Sequence, residues 1–238
     1  MTTEEILNQF KTIINGVCSD IFKAYEVYNI LIVIWKNATE INEKKYGIFF
    51  GKLQEILVEQ LILLLTKIFE DPGQYQIKSI PFVIKYIKDH EQLLPPKLEK
   101  DEVVDKLLGK LRCQHLKEKE SFVVMFFKHW ANQLGEIKTQ KEKIILFRNK
   151  IVAHHERLDE QLVEGIYPNE ILELLEKAKI FVSFIDNVYL DQITVDIEGN
   201  NFIYSDSKAA AVILKNLLVK ANVIDISAGR KLMSSLEE

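Results

Sequence analysis

The chain has 238 residues, 47% of them hydrophobic, a formal net charge of −4 at pH 7, and only 9 glycines and 5 prolines. That supply of apolar residues can build one large domain, or one domain with a small appendage, and it excludes a long disordered or collagen-like chain. The mild negative charge excludes a protein that coats nucleic acid non-specifically, though not an enzyme with one local basic site.

Cys18 and Cys113 are the only cysteines, and neither belongs to a CxxC pair. No disulfide framework or cysteine metal site follows from them, and a reducing, cytoplasmic setting is expected. Met1-Thr2-Thr3-Glu4-Glu5 lacks the basic start and apolar run of a signal peptide. Ile30 to Trp35 and Leu61 to Leu65 are intensely apolar but too short to span a bilayer, so no membrane role is expected. They read as helices buried on several sides.

In chain order, Thr2 or Thr3 followed by glutamates predicts a helix cap and an acidic first turn. Helical spacing then runs from about Glu4 to Asn37, with Gly16 or Ser19 as candidate breaks. Phe10, Ile13, Ile14, Val17, Ile21 and Phe22 form an apolar stripe, which Val27, Ile30, Leu31 and Ile34 continue. A second long helix is expected from Ile48 to Glu70, ended by the turn chemistry of Asp71-Pro72-Gly73. Ser79-Ile80-Pro81 predicts a cap and first turn, opening a short helix to about Lys88.

Leu94-Pro95-Pro96 is the clearest break between helices, and Asp101 to Leu111 resumes helical spacing. Phe122 to Leu134 is apolar and aromatic, with Gly135 marking a bend. Trp35 and Trp130 sit in apolar stripes and are expected in the core. Pro168 suits the first turn of a helix reaching about Leu190. Ile193 to Ile197 alternates apolar and polar residues, Glu198 to Asn201 is a turn, and Phe202 to Tyr204 can return, which predicts a small β-hairpin. Ser205-Asp206-Ser207 would cap a last helix over about Lys208 to Lys220. The fold class expected is therefore mainly all-α: a helical domain over residues 1–190 and a hairpin-helix appendage over residues 191–238.

Chemistry concentrates in Arg148-Asn149-Lys150-Ile151-Val152-Ala153-His154-His155-Glu156. Ile144, Phe147, Ile151 and Leu158 predict a helix, and Arg148, His154 and His155 fall near the edges of its apolar stripe. A guanidinium and an imidazole at such a boundary can bind and transform a phosphate. Lys138, Lys141, Lys143, Arg148 and Lys150 make this the densest basic stretch, either ordinary solvated charge or a phosphate track. There is no P-loop, dinucleotide fingerprint or HExxH. His90, His115 and His129 lack partners at ligand spacing, and adjacent His154 and His155 would diverge on a helix, so neither a metal nor a cofactor is expected.

Arg148 with Asn149 behind it, and His154 after five intervening residues with a polar pair behind it, resembles the Arg-x4-6-His signature of the HEPN superfamily of helical domains. His155 also satisfies the spacing. An apolar helix ending near Asp71-Pro72, a helix opening at Ser79, and then the motif helix are similar to the abortive-infection branch of that family. Together the two likenesses cover roughly Ile48 to Tyr189. They imply a HEPN-like helical bundle and a metal-independent endoribonuclease, in the role of a toxin or abortive-infection effector. They also imply a homodimer whose motif helices meet at a shared cleft, and an antitoxin or nucleotidyltransferase partner. The same resemblance admits a non-catalytic module that binds a protein or nucleotide.

In such an enzyme His154 would be the acid/base and Arg148 the phosphate stabiliser. Asn149 would orient the phosphate or the His by hydrogen bonds, while Lys150 and His155 would contact the RNA. Arg148 and His154 are six positions apart, about 120° on an ideal helix, so one chain does not easily set both against one phosphate, and the resemblance implies that a second copy completes the site. Arg148 and His155, seven apart, share a face and keep a one-chain site open.

Overall fold

The computed structural model describes residues 2–73, 77–96, 109, 122–149, 167–190 and 206–225. Every regular element among them is helical, as the apolar spacing predicts. The expected hairpin over residues 193–204 and the helix over residues 101–111, apart from helical Gly109, lie outside the described residues. No described helix is long and apolar enough to cross a membrane.

The helices are α1 (Thr3–Lys36), α2 (Ala38–Glu43), α3 (Gly47–Phe69) and α4 (Ile80–Asp89), then α5 (Phe122–Glu136), α6 (Lys138–Phe147), α7 (Pro168–Ile185) and α8 (Ala209–Lys220). A π-helical segment, Asp186–Leu190, continues α7. The chain divides into two compact units. One is Met1–Ile21 with Ile62–Ile203, and the other is Phe22–Leu61 with Tyr204–Glu238.

α1 starts with a capping box. Glu5 N donates to Thr2 Oγ1 at 3.2 Å, and Thr2 N donates to Glu5 Oε2 at 2.7 Å. Two of the otherwise orphaned first-turn N–H groups are thereby satisfied. The helix runs unbroken through Gly16 and Ser19. Gly16 serves a close approach instead: a Cβ there would come within 2.5 Å of Lys78 Cδ. Helical spacing also buries different residues than hydrophobicity alone selects. Ala24, Tyr25 and Tyr28 are buried, whereas Phe22 and Val27 are only half-buried.

In the first unit, α3 ends on buried Ile68 and Phe69, and the chain leaves the helix at Glu70. α4 opens as its sequence predicts: Phe82 N donates to Ser79 Oγ at 3.2 Å, with Pro81 in the first turn. That cap contributes about 1 kcal/mol. Tyr86 of α4 donates its hydroxyl to Ile6 O at 3.1 Å and stacks on Phe10, so a buried phenol keeps its hydrogen bond while its ring joins the core. An aromatic group joins α5 to α7: Phe126 stacks on Phe184 at 4.3 Å, and Trp130 meets Phe181 edge-on at 4.7 Å. Trp130 is thus core, as expected; Trp35, in the other unit, is only half-buried. α5 continues past Gly135 to Glu136, and the break before α6 falls at Ile137.

The second unit has its own core of Val33, Ile34, Ile41, Phe50, Ala211, Leu218, Val223 and Ile224. α8 begins after Lys208 without a side-chain cap bond. Ser207, expected in the cap, is buried and accepts from Asn29 Nδ2 through both its carbonyl and its hydroxyl, each at 3.4 Å.

Candidate functional site

α6 carries the basic residues of the motif region, and its sequence explains their placement. Ile144 is buried and Ile145 and Phe147 are half-buried, which leaves Lys141, Lys143 and Arg148 along the margins of the covered face. Arg148 is the C-cap residue of α6. Arg148 and Asn149 adopt a π-type turn. Such a turn advances each residue by less than an α-helix does, so the regular 100° phase does not hold through this pair.

Arg148 sits at a boundary, with 28% of its side chain exposed. Its Nη1 donates to Glu70 Oε1 at 2.9 Å, and its Nε donates to Asn149 Oδ1 at 3.2 Å. Two of the five guanidinium donors are therefore engaged in these bonds, and they hold the fork in one orientation. Beside this pair, Lys141 Nζ reaches Asp71 Oδ2 at 2.6 Å. Lys143 Nζ reaches Glu170 Oε1 at 3.3 Å. Glu170 also accepts from the Tyr167 backbone N–H at 2.8 Å. That N–H, with Lys143 beside it, holds the Glu170 carboxyl below its ordinary range. Lys138 pairs with Glu142 within α6 itself.

Among the described residues, Lys138, Lys141, Lys143 and Arg148 of the basic stretch are thus a row of cations that each face a carboxylate, not an open positive track. Charge-assisted bonds of this kind fix geometry more than they add stability. A phosphate arriving at Arg148 competes with Glu70 or uses the remaining donors of the fork. The carboxylates are what sequence reasoning missed, because acidic residues outside the motif read as solvated faces. Glu70 stands 78 positions from Arg148, and only its place beside Asp71-Pro72 at a helix end set it apart.

Lys150, His154 and His155 lie outside the described residues, so of the motif only Arg148 and Asn149 are placed, and they are placed together. Among the described residues no cluster of three or more His, Cys, Asp or Glu could hold a metal ion. His90 turns its Nδ1 to Tyr86 O at 2.9 Å and stacks on the Tyr86 ring, which is a packing role.

A second polar feature of this unit lies at the turn that follows α7. Asp186, 1% exposed, accepts from the Cys18 thiol at 3.8 Å, and its Oδ1 has no hydrogen-bond partner among the described residues. Burial pushes the Asp186 carboxyl up to about 7. Burial, and the carboxylate beside it, push the Cys18 thiol up as well, which makes it a poor nucleophile. Next in the turn, Asn187 donates to Ser183 O at 2.7 Å.

Compared with protein-family models, with curated proteins and with solved structures, the chain matches none.

Proposed function

We propose that the chain is a metal-independent endoribonuclease, acting as a toxin or abortive-infection effector on cellular RNA. The observation that carries the reading is Arg148 at the end of α6, half-buried and held by Glu70 and Asn149, with His154 following at HEPN-like spacing. An oriented guanidinium costs little reorganisation when charge develops on a phosphoryl oxygen.

The chemistry is transesterification. The ribose 2′-OH attacks the adjacent phosphorus, the bond to the 5′-oxygen breaks, and a 2′,3′-cyclic phosphate and a 5′-hydroxyl result. His154 removes the 2′ proton or supplies one to the leaving oxygen. Arg148 stabilises the charge on the phosphoryl oxygens, and Asn149 keeps its guanidinium turned toward them. A homodimer brings the Arg148 and His154 of two copies to one cleft, and Lys150 and His155 hold the RNA. An antitoxin or nucleotidyltransferase is the expected partner. The expected setting is the cytoplasm.

The test is cleavage of total RNA by purified protein in EDTA, wild type beside His154→Ala. Cleavage by the wild type alone, leaving 2′,3′-cyclic ends, is the expected result. Equal cleavage by both proteins overturns the role given to His154.

One observation favours a second reading. Each cation of α6 described above already has a carboxylate partner, as in a non-catalytic helical module that binds a protein or nucleotide. Growth on expression separates the two: toxicity relieved by His154→Ala belongs to the nuclease, and toxicity in neither form belongs to the module.

A further inference from the structure

The solvent side of α3 is not uniformly polar. Phe49, Ile56 and Leu63 are 65%, 56% and 38% exposed. They recur every seven residues, so they fall within about 40° of one another around the helix. Lys52 and Glu59 sit between them on the same stripe, also seven apart and both exposed. Lys52 pairs with Glu55 one turn along, but both side chains are largely in water, so that contact exchanges at little cost.

The order of these residues is self-complementary. Ile56 is the centre, with Lys52 four positions before it and Glu59 three after, and Phe49 seven before it and Leu63 seven after. Lay a second α3 antiparallel across this stripe, with a two-fold axis through Ile56. Ile56 then meets Ile56, Phe49 meets Leu63, and Lys52 comes within one residue's rise, about 1.5 Å, of the level of Glu59. The parallel arrangement would stack Lys52 on Lys52 and Glu59 on Glu59. Like charges in register disfavour it, so the charge pattern selects one orientation.

We propose that this face of α3 is a self-association surface, and that its occupant is the same face of a second copy of the chain, antiparallel about Ile56. The surface is distinct from the motif-helix contact described above, and the inference does not rest on ribonuclease activity. Apolar side chains at every seventh residue bury one another in such a pair, and the Lys52–Glu59 contacts set register at its margins.

The experiment is sedimentation equilibrium on the full chain, with circular dichroism confirming helix content. The variants are Lys52→Glu, Glu59→Lys, the double exchange, and Ile56→Asp. With the motif-helix homodimer also formed, the wild type should assemble beyond a dimer, and each single charge reversal should weaken the α3 association at least about tenfold. Ile56→Asp should abolish the α3 association and leave only the motif-helix homodimer, and the double exchange should restore the α3 association toward wild type. A monomeric wild type at the highest attainable concentration overturns the proposal. So does an assembly whose size is indifferent to Ile56→Asp, because its contacts then lie elsewhere. Failure of the double exchange to recover what the single reversals lose overturns the antiparallel register.

Discussion

Glu70 and Asp186 are two carboxyl groups of the same unit with opposite circumstances. Glu70 is half-buried and has a guanidinium nitrogen 2.9 Å away. Asp186 is sealed from water, and its contact is a thiol. A carboxylate beside a cation keeps its charge at modest depth, whereas one buried among weak donors is driven toward its neutral form. The first arrangement presents an oriented cation at a surface, where a phosphate can reach it. The second introduces a pH-dependent term into the interior. Partner and depth, not residue type, separate the acid that shapes a site from the acid that taxes the core.

The largest effect expected from breaking the surface pair is on chemistry. If the chain is the proposed ribonuclease, Arg148→Ala should lower RNA cleavage by about 10²–10³-fold, as loss of a charge-stabilising donor does elsewhere. Its stability should fall by no more than about 1 kcal/mol, because the ion pair is part-exposed. Cleavage assays beside urea denaturation check both halves, and a collapse in stability would move Arg148 from the site to the scaffold.

Asp186→Asn should remove the pH term of the interior acid. The folded carboxyl titrates near 7 instead of near 3.8. The stability it allows is therefore complete below its ordinary range and is lost as pH rises from there through about 7. The loss is on the order of 4 kcal/mol, from a shift of about three pH units. Urea midpoints of the wild type should fall between about pH 4 and pH 8 through this group. Those of Asp186→Asn should lack that slope and exceed the wild type at pH 8. Parallel slopes would show that Asp186 is not the source.

Glu70→Gln sharpens the surface half of the comparison, since it keeps a hydrogen-bond acceptor near Arg148 and removes the charge. RNA binding at low salt should tighten by a few-fold, because the phosphate no longer competes with an anion. Turnover should drop by roughly tenfold or less as the guanidinium loses its fixed aim. Binding and turnover moving in the same direction would contradict a positioning role. The smallest effect is expected at Lys141→Ala. Its partner Asp71 is largely in water, so thermal denaturation should register about 1 kcal/mol or less.

Much of the helical order is legible in local patterns, since caps and turns act over a few residues. Thr2 with Glu5 starts α1 and Ser79 with Pro81 starts α4, both by contacts within one helical turn, and Asp71-Pro72-Gly73 follows the end of α3. Gly16 misleads as a break because a glycine in a helix looks the same whether it ends the helix or admits a neighbour. Only the approach of Lys78 distinguishes the two. Ser207 misleads as a cap because a hydroxyl before a helix can turn either to that helix or to a distant amide, here Asn29.

The sequence by itself determined the helical class, the caps that begin α1 and α4, and the chemical types gathered at Arg148 and Asn149. Periodicity and capping are short-range and need no knowledge of what lies across the core. Tertiary structure alone decided that Glu70, Asp71 and Glu170 face the cations of α6, that Asp186 meets Cys18, and that Ser207 meets Asn29. Those contacts join residues 27 to 178 positions apart. Their formation depends on how helices pack, and nothing in local spacing encodes the partner across that distance.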